Sequence, residues 1–219
     1  NKNFYKNFCK HDGSCHIYYA KINLILARSN AILDKVIFEN LQKCYSPIIS
    51  NIINSNIKFY RTNQTIRWQF GFDERVAIFA CCDRKTNIVT VNIAAVDFSF
   101  QRKEPLHIEY FLLHEIRHIY QHVEIKEYKE NPSKCNNQML AEKWANEEAN
   151  YIGAIDKNGF ENKEYFKQDM EMDAFAYAYA VMKYKYGEVP YLYVPKTYEN
   201  DEFYGIVDEW IDTFERERL

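Results

Sequence analysis

Two histidines and a glutamate form the most informative chemical pattern in this 219-residue chain. His114 and His118 stand four positions apart, and Glu115 directly follows the first histidine. On a helix, residues four apart lie on the same face, so both imidazoles can reach one ion. Zinc binds neutral imidazole nitrogen, and hydrolytic zinc sites use three protein ligands and a water. The H-E-x-x-H spacing therefore predicts that His114 and His118 hold zinc. Glu115, about 100° further round the helix, is then the expected general base that acts on the water.

The residues around this motif have the pattern of one long helix, from residue 105 to about residue 128. Pro105 is the only proline in that stretch and stands at the helix start, where proline is favoured. Apolar residues collect on one side of the helical projection and titratable residues on the other. We therefore expect one face to pack into a core and the other to form the floor of a cleft. The apolar face holds Leu112, Leu113, Ile116, Ile119, Tyr120 and Val123, and the polar face holds His107, Phe111, His114, Glu115, His118 and His122.

His122 offers a second pair at the same spacing, because it lies four residues after His118. No glutamate stands between these two histidines, whereas Glu115 stands between His114 and His118. His114 and His122 are about 12 Å apart along a helix axis, too far to share one ion. The motif thus favours the first pair. We expect His122, and likewise His107, at the rim of the cleft or on the surface.

The third metal ligand must come from elsewhere in the chain, and Glu171 is the main candidate. On a helical projection Glu171 shares a face with Ala174 and Ala178, and these small residues would let its helix approach the zinc helix closely. Asp173 lies about 200° away on that projection, so it is not expected to bind the same ion.

Other donors compete with Glu171 for the third position. Glu142 has the same acid-x-x-Ala spacing and is the first alternative. Cys81 and Cys82 precede the motif and remain open as donors. The glycine-rich sequence that surrounds such a cysteine in peptide deformylases is absent here.

These motifs resemble those of gluzincin metallopeptidases, and more narrowly those of ImmA/IrrE-like bacterial and phage metallopeptidases. The resemblance is carried by H-E-I-R-H-I-Y-Q at residues 114–121 and E-M-D-A at residues 171–174, and it covers about residues 76–182. It implies an α+β fold in which a small twisted sheet or hairpin packs on the zinc helix. A second helix would supply the glutamate ligand, Glu171.

The chain departs from this family pattern at three points. Arg117 stands where the family usually has glycine before the second histidine. Phe175 stands where several gluzincins have an aspartate that orients a zinc histidine, so that support must come from another residue. The 52 residues between His118 and Glu171 exceed the usual spacer, which keeps Glu142 open as the ligand.

Taken together, the motifs favour a zinc-dependent metallopeptidase that acts on a peptide or protein substrate. In this hypothesis zinc is held by His114, His118 and Glu171, and Glu115 moves the proton. Two alternatives remain. One is a catalytically silent zinc-binding module with a regulatory or interaction role, and the other is a zinc amidohydrolase that acts on a non-peptide amide.

Hydrophobic periodicity outside the motif predicts the remaining elements. Residues 1–60 are expected to form an N-terminal helical extension that packs on the core, and residues 61–219 the metallopeptidase domain. In the extension, a helical pattern from residue 17 to about residue 45 is expected to end at Pro47.

Strands and further helices are expected within residues 61–219. Ile88–Asn92 is the expected edge strand, beside which an extended substrate could pair. It would form a hairpin with the strand before it. Strands are predicted at residues 65–72, 76–82 and 88–94, and helices at residues 138–151, 161–186 and 203–214.

Composition limits the class of protein. The formal net charge of −3 argues against a nucleic-acid binder held by bulk charge. No run of eighteen apolar residues occurs, so no membrane span is expected. The six cysteines are too irregularly spaced for a disulfide framework, and we expect reduced thiols in a cytoplasmic protein.

Overall fold

The computed structural model describes residues 31–76, 78–154, 162–188, 192–198 and 200–219. Within these ranges a small mixed sheet packs against helices, which is the predicted α+β class. The start predicted for the first helix, residues 17–30, lies outside the described residues. The elements in chain order are α1 (Ala31–Ser55), β1 (Arg67–Gly71), β2 (Ala80–Asp83), β3 (Ile88–Asn92), α2 (Ile93–Gln101), α3 (Leu106–Glu130), α4 (Gln138–Ala149), α5 (Asp169–Tyr186) and α6 (Asp201–Glu217).

Strand β3 lies in the middle of the sheet, whose order is β1-β3-β2. It pairs in parallel with β1 and antiparallel with β2. The predicted hairpin is thus confirmed as β2–β3, and its turn is closed by Asp83, whose Oδ1 accepts the backbone N–H groups of Lys85 and Thr86. The prediction that Ile88–Asn92 is the edge strand is wrong, because β1 covers its second side. Strands β1 and β2 form the two edges of this sheet, and β2 is the edge strand that contacts the helix Leu106–Glu130.

Asn92 fixes the path of the chain around the sheet. Its buried side chain donates to the carbonyl oxygens of Asp73 and Ile78, at 3.0 and 2.8 Å, and so holds the loop between β1 and β2. Its Oδ1 accepts the N–H of Ala94 and thereby caps the first turn of α2. One amide therefore joins the sheet, the loop that leads to β2 and the next helix.

Helix α1 continues through Pro47, so the prediction that this proline ends the helix is wrong. Pro47 lies on the exposed side of α1, where water can replace the hydrogen bond that a proline cannot donate. The second half of α1 carries Ile49 and Ile53 into the same hydrophobic core as α3 and the sheet.

Helices α3 and α5 position the candidate site. Helix α3 begins at Leu106, one residue later than predicted, with Pro105 at its N-cap. Both of its faces are buried, because α5 and β2 cover the polar one. Helix α5 begins at Asp169, eight residues later than predicted. The carboxylate of Glu147 on α4 accepts the backbone N–H groups of Asp169 and Met170, at 2.7 and 2.9 Å, and so fixes this start. The helix ends before Gly187, which takes a φ of 73°.

The described part of the chain contains no helix that is both long and apolar enough to cross a membrane. Its four cysteines, Cys44, Cys81, Cys82 and Cys135, are free. The other two cysteines of the sequence, Cys9 and Cys15, lie outside the described ranges.

Candidate metal centre

His114, His118 and Glu171 meet where α3 packs against α5. The Nε2 atoms of the two histidines are 3.1 Å apart. Glu171 places Oε2 3.4 Å from Nε2 of His114 and Oε1 3.5 Å from Nε2 of His118. All three side chains are buried, and no further histidine, cysteine, aspartate or glutamate of the described chain belongs to this group. The structure thus brings together the predicted helix pair and the predicted glutamate.

The spacing of these donor atoms fits a single metal ion. Around a tetrahedral zinc ion with bonds of about 2.05 Å, neighbouring donors lie about 3.3 Å apart. This value is close to the 3.1 Å between the two Nε2 atoms and to the 3.4 Å between Nε2 of His114 and Oε2 of Glu171. Oε2 of Glu171 is buried, and apart from its ion-pair contact with Nε2 of His114 it has no hydrogen-bond partner among the described residues. A metal ion would satisfy this acceptor, which otherwise carries the cost of desolvation. The group can therefore hold a metal ion through three protein donors.

The charges of the group are mutually dependent. Burial acts to raise the pKa of Glu171, but the neighbouring His118 and His114 outweigh it and hold that pKa well below its usual range. Burial acts to lower the pKa of His118, and the Glu171 carboxylate outweighs it and raises the value to about 9. Without metal, His118 and Glu171 therefore form a buried ion pair at neutral pH.

Tyr151, which the sequence did not single out, supports the metal-facing carboxylate. Its hydroxyl donates to Oε1 of Glu171 at 2.5 Å, on the oxygen opposite Oε2. The guanidinium of Arg84, in the β2–β3 turn, lies 3.5 Å from the centre of the Tyr151 ring. The sequence predicted Tyr151 as the last residue of a helix, but α4 ends at Ala149 and Tyr151 lies in the loop after it. No sequence pattern marked its contact with Glu171.

Glu115 lies beside the donor group without belonging to it. Its Oε1 is 3.9 Å from Nε2 of His114, and its side chain is 12% exposed. Edge strand β2 passes close by, since the charge of Glu115 adds to burial in raising the pKa values of the Cys81 and Cys82 thiols. These cysteines, considered as metal donors from the sequence, are neighbours of Glu115 and not members of the donor group.

Arg117 and Phe175, the two residues that depart from the metallopeptidase pattern described above, each have a defined place in the structure. Arg117 is 2% exposed and points into the core, where its Nε and Nη2 donate to Asp173 at 2.8 and 3.1 Å. Asp173 is therefore held by Arg117 and does not belong to the donor group, as predicted. Phe175 packs on the ring of His114 with 4.2 Å between centroids, and Nδ1 of His114 has no hydrogen-bond partner in the described chain.

Support for the other histidine comes from Gln121, which the sequence did not identify as a site residue. Its Oε1 lies 2.7 Å from Nδ1 of His118, one helical turn away. Spacing alone placed Gln121 within reach of His118, but many residue pairs three apart on a helix make no such contact.

The remaining candidates lie apart from the donor group. Glu142 is exposed on α4 and neighbours Tyr128, so it does not complete the group. His122 is buried under the hairpin turn, where its Nδ1 is 3.2 Å from Oδ1 of Asn87, so the expectation of a surface position is wrong. His107 lies near the start of α3 and packs edge-on against Phe79.

Comparison of the chain with protein-family models, with curated proteins and with solved structures found no match. The functional interpretation therefore depends on the motif and on the geometry of the site.

Proposed function

We propose that this chain is a zinc-dependent metallopeptidase of the gluzincin type, resembling the ImmA/IrrE-like group. The observation that carries the proposal is the convergence of His114, His118 and Glu171 beside a carboxylate, Glu115, that is not one of the donors. Structural zinc sites use four protein ligands, whereas catalytic sites use three and keep one position for water or substrate. Three donors in the described chain favour the catalytic class.

In this proposal each residue of the site has a distinct role. His114, His118 and Glu171 would hold the zinc, which when bound supplies a Lewis acid that polarises a carbonyl and makes water nucleophilic near neutral pH. Glu115 would accept the proton of the attacking water on its carboxylate and deliver it to the leaving amine. Tyr151 would hold Oε1 of Glu171, so that Oε2 faces the metal.

Edge strand β2 is the proposed binding site for an extended substrate backbone. The N–H of Asn92 donates to the carbonyl of Phe79, which makes these residues a hydrogen-bonded pair of the β2–β3 ladder. Because the ladder alternates, the backbone N–H and C=O groups of Ala80 and Cys82 point away from β3. These groups can pair with a peptide that lies along the outer edge of β2.

The test of the proposed mechanism is the substitution Glu115→Gln. The variant should bind zinc in the same 1:1 ratio as the wild type, because Glu115 is not a donor. It should lose at least about a hundredfold in peptide hydrolysis, because a carboxamide cannot take the proton. Zinc content by elemental analysis and cleavage of a peptide library by mass spectrometry measure the two effects.

The matched control is Glu130→Gln at the exposed end of the same helix, which should change neither zinc content nor hydrolysis. Wild-type turnover in the Glu115→Gln variant would exclude the mechanism.

A catalytically silent zinc-binding module is the second candidate, and the burial of the site favours it. His114 is 2% exposed and Glu171 is fully buried, so a substrate has little access to the donors in this conformation. A zinc-loaded wild type that cleaves no member of a broad peptide library would support this candidate over the peptidase.

A further inference from the structure

We propose that Gln121 is the positioning residue for His118: it keeps a proton on Nδ1 of that ring and so turns Nε2 towards Glu171 and the metal. The inference rests on the proposed function only in taking the donor group to be a metal site. It assigns to Gln121 the role that, in several gluzincins, an aspartate on the second helix performs for a zinc histidine.

The orientation of the Gln121 amide is fixed by its partners. Gln121 is fully buried, and its Nε2 donates to the carbonyl oxygen of Met170 at 2.9 Å and to Oδ2 of Asp173 at 2.8 Å. Both partners can only accept, because one is a backbone carbonyl and the other a carboxylate held by Arg117. The NH2 group must therefore face α5, and Oε1 must face His118.

This orientation determines which nitrogen of His118 carries a proton. Oε1 of Gln121 can only accept a hydrogen bond, and it lies 2.7 Å from Nδ1 of His118. Nδ1 must therefore be protonated and donate. The lone pair that binds metal is then on Nε2, the nitrogen that lies 3.5 Å from Oε1 of Glu171.

The chain of contacts continues into the core. Two guanidinium hydrogen bonds from Arg117 hold Asp173, and Arg117 lies over the rings of Tyr120 and Tyr177 at 4.3 and 4.7 Å. A continuous chain of hydrogen bonds thus links Arg117 to His118 through Asp173 and Gln121. Nδ1 of His114 has no corresponding partner in the described chain. Of the two imidazoles, only His118 is therefore oriented by a hydrogen bond at Nδ1, the one to Gln121.

The test substitution is Gln121→Met, which keeps the length of the side chain and removes both the acceptor and the donor. The zinc dissociation constant, measured by competition with a chromophoric chelator, should rise about 10- to 100-fold. A second measurement needs no metal. In the zinc-free wild type, at a pH high enough for the His118 ring to keep a single proton, ¹⁵N-histidine spectra should place that proton on Nδ1, and in the variant it should move to Nε2.

Asn56→Leu is the matched control, because Asn56 is equally buried and bonds to Glu109 on the same helix, away from the metal group. It should lower the free energy of unfolding and leave the zinc dissociation constant within twofold of the wild type. A Gln121→Met variant that binds zinc like the wild type, or a wild-type His118 without a proton on Nδ1, would overturn the assignment. A wild type that takes up no zinc would refute the proposed function, and the Nδ1 signal would still decide the role of Gln121.

Discussion

At His118 a proton and a metal ion compete for the same nitrogen. The Glu171 carboxylate raises the pKa of His118 to about 9, above the value of about 6.5 expected for an unfolded chain. Zinc binding at neutral pH must therefore displace a proton from this ring. The same pKa shift determines how the stability of the metal-free protein changes with pH. The ion pair contributes its full stability below about pH 6.5 and loses it as the pH rises through about 9.

We predict that zinc binds more tightly as the pH rises from 7 to 9. The dissociation constant should fall about tenfold per pH unit and level off above about pH 9, because one proton leaves for each ion bound. Chelator competition over this range, corrected for protonation of the chelator, measures the slope. Calorimetry at pH 7 in two buffers of different ionisation enthalpy should report about one proton released per zinc. A dissociation constant that does not change between pH 7 and 9 would contradict the ion pair.

At the scale of the elements, the sequence predicted the helix boundaries that depend on neighbouring residues alone. The amphipathic period and Pro105 placed the start of α3 to within one residue, and Gly187 marked the end of α5. The start of α5 was predicted eight residues too early, because Glu147 on another helix fixes it. The edge strand was wrongly assigned because alternation does not tell which strands become neighbours, and that depends on how the whole sheet packs.

The same distinction applies to the candidate site. The pair on α3 could be predicted because its spacing matches a helical turn, and Glu171 because small residues share its face. Gln121 and Tyr151 could not be predicted, since their contacts depend on the position of α5 relative to α3 and α4.

Which helix supplies the acidic ligand can be tested by two parallel substitutions. Glu171→Ala should reduce zinc binding by at least about a hundredfold, because it removes one of the three donors, the one on α5. Glu142→Ala is the control from α4, and because Glu142 is exposed it should retain full zinc content. Elemental analysis after dialysis against a weak chelator measures both. The opposite result, with zinc lost only from the Glu142→Ala variant, would place the ligand on α4.

At the scale of the whole molecule, α3 and α5 run antiparallel and, outside the metal group, are joined by ion pairs at two places. Arg117 pairs with Asp173 next to the metal group. Towards the other end of the contact, Lys185 pairs with Glu109, which is 5% exposed. Asn56, at the end of α1, also hydrogen-bonds to both members of this second pair. The second cluster therefore joins segments separated by up to 129 residues and holds α1 against the helices that carry the site.

Lys185→Met tests whether this cluster stabilises the whole fold. The substitution leaves the Glu109 carboxylate buried without its cation. The free energy of unfolding should therefore fall by about 3 kcal/mol, at the low end for a broken buried pair because Lys185 keeps some exposure. Lys183→Met on the same helix removes a surface pair with Glu188 and should cost less than about 1 kcal/mol in urea unfolding.

In a Glu109→Gln background, Lys185→Met should cost less than in the wild type, because no buried charge is then left unpaired. The carboxamide oxygen introduced at position 109 can still accept the hydrogen bond that Asn56 donates to Glu109. Zinc affinity of the folded protein should be unchanged in all of these variants, because the cluster does not touch the donor group. Equal losses for Lys185→Met and Lys183→Met would show that the cluster contributes no more than a surface ion pair.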